Sequence, residues 1–302
     1  MISKIISFQS NGIVSIVQYL TDQVNTIDYI SCHEAMENNH IEVKEVNESG
    51  SVNNLVVLNH SNHFVFFSDG DILSGAKQNR VLNTSVFLAP NSKTIIPVSC
   101  VEQGRWRHLS QKFKGNDYLA PSKLRAKKSE EVKENLKNNN SFMCSQHSVW
   151  SEVEDYQINL RVSSPTSNLS DVFEEKKTDI DKFIADFKVD DAANGMTVFI
   201  NNNILSVDSF NKTNIFKEYF QKILRGVSSE AIFLKEVNSN IAEAEIKFKT
   251  LNFFDELEKT KSNIYPGVGV GNERRFDSDK ISGFNLYFND QTIHLTAAEI
   301  NN

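Results

Sequence analysis

Six apolar runs of strand length, KIISF, IEVKEV, NLVVLNH, HFVFFS, NTSVFL and KTIIPVSC, crowd the chain up to about residue 110, and turn-rich segments such as NHSNH, SDGD and APNS separate them. A sheet with one apolar face must cover it with another layer, so this pattern predicts an antiparallel β-sandwich-like domain over residues 1–110. Pro97, inside KTIIPVSC, cannot donate to a strand ladder and predicts an edge or a bulge there. SCHEAMENNH reads as a short helical insertion, with Ser31 as its cap and Glu34 three residues on.

Beyond residue 110 the period changes. SKLRAKKSEEVKENLKNNN carries acid and base at helical i,i+4 spacing and predicts a largely exposed helix. Val149, Val153, Tyr156 and Leu160 share one helical face, as do Val172, Ile180, Phe183, Ile184 and Phe187. GMTVFINNNILSVDSF predicts a hairpin turning at Asn201, Asn202 and Asn203, and ISGFNLYFNDQTIHLTAAE a second at Asn289 and Asp290. NIFKEYFQKILRGV between them is an amphipathic helix, and YPGVGVGNERR reads as a flexible loop leading into the last hairpin. The expected class is α+β, with an α+β domain over 111–302 packed on the first. Without regular βαβ alternation, Rossmann and TIM-barrel architectures are excluded.

Thirty-nine per cent hydrophobic residues in 302 give material for a sizeable core. The net charge of −7 disfavours bulk nucleic-acid binding, which needs a basic face. No run is long enough to cross a bilayer and the N-terminus lacks the pattern of a secretory signal, so a cytoplasmic protein is expected. Three widely spaced cysteines, Cys32, Cys100 and Cys144, argue against a disulfide framework.

The segment GDILSGAKQNRVLNTSVFLAPNSKTIIPVSCVEQGRWRH, from Gly70 to His108, concentrates the special chemistry. Lys77 and Arg80 supply cations, and Gln78 and Asn79 supply amides that donate and accept, which suits a phosphate-bearing sugar or nucleotide. Glu102, Gln103, Arg105 and Trp106 add a candidate catalytic carboxylate, a second amide, a guanidinium and a stacking indole. The bland alternative is a structural Glu102–Arg105 ion pair with Trp106 plugging a junction. Cys100 and Arg105 lie one residue short of phosphatase-loop spacing, so Cys100 reads as a small buried hydrophobe. Arg80 is the strongest single candidate, with an acid such as Glu102 as its structural alternative. Asp69, Asp71, Glu102 and His108 are a rival metal set, but neither HExxH nor paired CxxC accompanies them, so no metal site is assigned.

GAKQNRVLNTSVFLAPNSKTIIPVSCVEQGRW, VWSEVE, SPTSNLSDVFE, VFINNNILSVDSF and YPGVGVG together resemble the family called ARG and Rhodanese-Phosphatase-superfamily-associated Protein, a bacterial domain family, across essentially the whole chain. The resemblance implies gene neighbourhoods with ADP-ribosylglycohydrolases and rhodanese-phosphatase enzymes, hence a context of ADP-ribose, other NAD derivatives or RNA ends. It supplies no catalytic residues and no cofactor. The favoured reading is binding, with hydrolysis left open, of an ADP-ribose-like or other nucleotide-derived phosphate ligand where the two halves meet. A non-enzymatic interaction module and a metal-dependent enzyme are the alternatives.

Overall fold

A computed structural model describes residues 1–22, 25–234 and 242–300. In chain order, the elements are β1 (Ile2–Ser10), β2 (Val14–Thr21), β3 (Tyr29–Ser31), α1 (Cys32–Glu37), β4 (Ile41–Glu45), β5 (Asn54–Asn59), β6 (Phe64–Phe67), β7 (Asp71–Gly75), β8 (Arg80–Leu82), β9 (Val86–Leu88), β10 (Ser92–Cys100) and β11 (Phe113–Leu119). They continue as α2 (Ser122–Asn139), α3 (Gln146–Leu160), α4 (Leu169–Glu175), α5 (Lys177–Ile184), β12 (Gly195–Ile200), β13 (Asn203–Phe210), α6 (Thr213–Ala231), α7 (Glu243–Lys259), β14 (Ser262–Pro266), β15 (Val268–Gly269), β16 (Asn272–Phe276), β17 (Ile281–Phe288) and β18 (Gln291–Glu299). The fold is α+β with a sheet-rich, sandwich-like part. None of the described helices is long and apolar enough to cross a membrane.

Local chemistry explains many boundaries. The Ser31 hydroxyl accepts from the Glu34 N–H at 3.1 Å and caps α1. Asn201 and Asn202 turn the β12–β13 hairpin, and Asn289 and Asp290 the β17–β18 hairpin, all at positive φ, where short polar side chains are tolerated. The predicted stripe of α3 is its buried face: Val149, Val153, Tyr156 and Leu160.

A six-stranded antiparallel sheet, ordered β11-β7-β8-β10-β5-β4, faces a four-stranded sheet, β15-β9-β6-β3. Val43, Leu55, Val57, Leu73, Leu82 and Val98 of the first pack on Val65, Phe67, Val86 and Leu88 of the second. Because side chains alternate along a strand, Phe66 and Phe87 point the opposite way, into the main core with Phe210, Tyr219 and Phe284. That core lies on one face of an eight-stranded antiparallel sheet, β1-β2-β12-β13-β18-β17-β16-β14, whose other face packs on α7 through Tyr19, Phe199 and Phe254.

Several sequence expectations change. β1 pairs with β2, which in turn pairs with β12 through Tyr19↔Gly195, and β15 returns to pair with β9, so the sheets cross the change of texture near residue 110. The helix expected to be largely exposed, α2, buries Leu124, Arg125, Lys128, Val132 and Leu136, because long cationic side chains can be buried when acids or carbonyls await them. YPGVGVGNERR forms strands rather than a flexible loop; Arg275 within it is fully buried and paired with Glu273. The helical run 168–187 divides into α4 and α5. Pro97 sits where β10 changes neighbour, from β5 at Ser92–Pro97 to β8 at Val98–Cys100.

Candidate functional site

The β7–β8 turn and the end of β10 bring Lys77, Gln78, Asn79, Arg80, Glu102, Gln103, Arg105 and Trp106 into one node. The ladder sets Cys100 opposite Arg80. Within this node the Glu102–Arg105 pair has the structural form weighed above. Arg105 Nε and Nη2 grip the two Glu102 oxygens at 2.7 and 2.6 Å, both residues being buried. Glu102 also accepts from the Asn79 N–H and the Thr166 hydroxyl, so four donors saturate its carboxylate. Asn79 Nδ2 donates to Asn168 and Ser170, and Gln78 Nε2 to the Gln103 carbonyl. Gln103 itself is exposed.

Arg80 has no exposed surface. Its guanidinium donates to the Gln78 and Ser51 carbonyls, and its nearest acid is Glu45 at 3.7 Å, not Glu102. Burial lowers its pKa from the ordinary guanidinium value. Lys77 Nζ and Arg80 Cζ lie 5.5 and 5.6 Å from the centroid of the Trp106 ring, which is 46% exposed. Cys100 is buried; burial pushes its thiol up to about 11 although Arg80 pulls the other way. That environment favours the neutral thiol, in keeping with the small-hydrophobe reading of Cys100.

The rival metal set does not assemble. Asp69 is held by Arg125, Asp71 by Lys222, and Glu102 by Arg105, while His108 is exposed beside the Ser110 carbonyl. Among the described residues, Asp69, Asp208 and His294 form a different buried group whose donor atoms all lie within 4.8 Å. The Arg125 guanidinium already bridges it, reaching Asp69 at 2.9 and 3.1 Å and Asp208 at 2.5 and 3.2 Å. Burial alone would raise the Asp69 carboxyl; Arg125 overrides it and holds Asp69 below the usual range. Ser85 Oγ lies 2.8 Å from His294 Nδ1, but both are fully buried, so no substrate reaches that pair. Nearby, Lys128 Nζ donates to the Leu82 carbonyl, and burial brings its pKa down to about 8.

An open cavity rich in ionisable side chains lies elsewhere, between α1, β11 and α6. His33, Asp117, Glu218, Tyr219, Lys222 and Arg225 line a space of about 330 Å³. At its floor, Lys222 Nζ donates to Asp71 Oδ1 at 2.7 Å, and Asp71 Oδ2 accepts from the Tyr219 hydroxyl at 2.7 Å. The buried Cys32 thiol completes the cluster, 3.4 Å from Asp71. Burial opposes the charge on Lys222, and Asp71 overrides it, keeping the ammonium above its ordinary pKa. Burial raises the Glu218 carboxyl, and one of its oxygens has no hydrogen-bond partner. On the far side of His33 is a chamber of about 590 Å³ with Met36, Ile41, Val43 and Phe113 in its wall.

The sequence held one signal for this cleft that the amphipathic reading of α6 passed over. Glu218, Lys222 and Arg225 recur at i, i+4 and i+7, a charged stripe along one side of an amphipathic helix. Only the packing of α1 and β11 beside it makes the stripe a cavity wall.

Over residues 4–298 the chain matches the family model described as the ARG and Rhodanese-Phosphatase-superfamily-associated Protein domain. No curated protein and no solved structure matches it.

Proposed function

The chain belongs to the ARG and Rhodanese-Phosphatase-superfamily-associated Protein family, and on that footing we propose that it binds a small nucleotide-derived ligand carrying ribose and phosphate in the cleft between α1, β11 and α6. The observation that supports this most is the mixture on one cavity wall: Lys222 and Arg225 beside Asp117 and Glu218, with His33 separating them from the half-apolar chamber. Cations suit a phosphate, carboxylates accept from the vicinal hydroxyls of a sugar, and a chamber walled by Met36 and Phe113 suits a planar base. The family's association with ADP-ribosylglycohydrolase and rhodanese-phosphatase proteins supports the ligand class, and the cavity supports the place. Lys222 and Arg225 are paired with Asp71 and Asp181, so they orient a ligand as fixed hydrogen-bond donors rather than as bare positive charge.

A thermal-shift panel of ADP-ribose, NAD and mononucleotides tests the reading, because a ligand that binds only the folded state raises its Tm by mass action. ADP-ribose is expected to raise the Tm of the wild type and not that of a Glu218→Gln, Arg225→Gln double variant. No shift with any of these ligands, or an equal shift in the variant, would refute the proposal.

A further inference from the structure

Residues 46–53, between β4 and β5, lie across the Lys77–Arg80–Trp106 node and touch it chiefly through backbone oxygens. Lys77 Nζ donates to the Glu48 and Ser49 carbonyls at 2.6 Å each, and Arg80 Nη2 to the Ser51 carbonyl at 3.4 Å. The Cys100 thiol is 3.7 Å from the Val52 carbonyl. The apolar side chains of this strap, Val46 and Val52, remain exposed. Polar contacts to the two cations therefore hold the strap down, not burial of apolar surface.

Charge inside the node does not balance. Glu102 is matched by Arg105, which leaves Lys77 and Arg80, both buried, to share the single carboxylate of Glu45. Arg80 Nε has no hydrogen-bond partner although the side chain is wholly enclosed, and Glu45 Oε2 also lacks one. Neutral carbonyls are weak substitutes for an anion beside a buried guanidinium.

We infer that the node is an occluded site for a phosphate group, and that the strap carbonyls stand in the places of phosphate oxygens until a ligand displaces them. Lys77 and Arg80 supply the donors, Glu45 stays with one cation, and the half-exposed Trp106 forms the wall next to the strap. Gly50, at φ +81°, makes the close approach: a Cβ there would lie 3.1 Å from Lys77 Cδ and 3.4 Å from Trp106 Cζ2. This site shares no side chain with the α6 cleft, so each stands or falls separately.

Trp106 and Trp150 are the two tryptophans, so in a Trp150→Phe background the emission of Trp106 reports on the strap. Inorganic phosphate, titrated against chloride at equal ionic strength, should change that emission saturably. Adding Gly50→Ala should tighten binding about fivefold, because alanine in the left-handed region disfavours the closed strap and raises the open fraction. Adding Lys77→Gln should weaken it about tenfold or more, with circular dichroism confirming that each variant is folded. Adenosine monophosphate in place of inorganic phosphate separates a nucleotide site, which binds it more tightly, from a free-phosphate site, which does not. No saturable response in either the Trp150→Phe or the Gly50→Ala protein would overturn the inference, as would a response unchanged by Lys77→Gln.

Discussion

Replacing Arg125 with methionine removes the one guanidinium that bridges Asp69 and Asp208 while keeping the apolar length of the side chain. The two carboxylates are 4% and 0% exposed, and four hydrogen bonds of 2.5–3.2 Å to them are lost. Stripping one partner from a buried ion pair costs ~3–5 kcal/mol, a large share of the ~5–15 kcal/mol that stabilises a typical domain. The cost should depend on pH. In the wild type, Asp69 is held below the usual carboxylate range, so its contribution is present above the unfolded pKa and is lost only as pH falls through the lower folded value. In Arg125→Met the two carboxylates face each other beside His294, with Lys128 nearby but without the guanidinium that bridged them, and taking up a proton relieves the repulsion, so the deficit should shrink from pH 7.5 to pH 5.5. Adding Asp208→Asn should recover part of the loss at pH 7.5. Urea unfolding of the wild type and both variants at the two pH values measures all three effects. A loss below about 1 kcal/mol at pH 7.5, or one that is flat with pH, would show that Arg125 is not the clasp described here.

Glu230 titrates in the opposite sense: burial pushes its carboxyl up to about 7, despite hydrogen bonds from the Lys123 N–H and the Tyr156 hydroxyl. The folded state therefore holds an extra proton between the ordinary carboxylate pKa and about 7, and stability falls as pH rises through that window. Glu230→Gln, whose amide oxygen keeps both hydrogen bonds, should be more stable than the wild type by about 2–4 kcal/mol at pH 8 and no more stable near pH 4; parallel unfolding curves at the two pH values would contradict this. Glu102→Ala should cost ~3–5 kcal/mol by leaving Arg105 buried without its carboxylate, yet leave any ADP-ribose thermal shift intact; a variant that keeps its stability and loses the shift would return Glu102 to the ligand site.

Local information in the sequence carried a good part of the fold. The Ser31 cap, the asparagine turns of the two hairpins and the buried face of α3 depend on residues within a few positions of one another, and each formed where its pattern lay. The short strands β3 and β8 had no such pattern: three residues are too few to show an alternation, and only their neighbours make them strands. The polar segment from Lys77 to Trp106 was legible as a cluster. Whether its charges faced solvent or one another was not, since Glu45, Ser51 and Thr166, which decide it, lie outside the segment.

What the sequence alone determined is the class of the longer, strongly patterned elements and the positions of the hairpin turns, because capping, periodicity and left-handed turns are near-neighbour effects. The tertiary structure decided the fate of the charges. Arg125 meets partners 56 and 83 positions away, and Lys222 meets Asp71 across 151. An isolated helix shows these side chains as solvated polar positions. They become a clasp and a cavity floor only when chain folding closes those loops and withdraws the charges from water, where pairing is required.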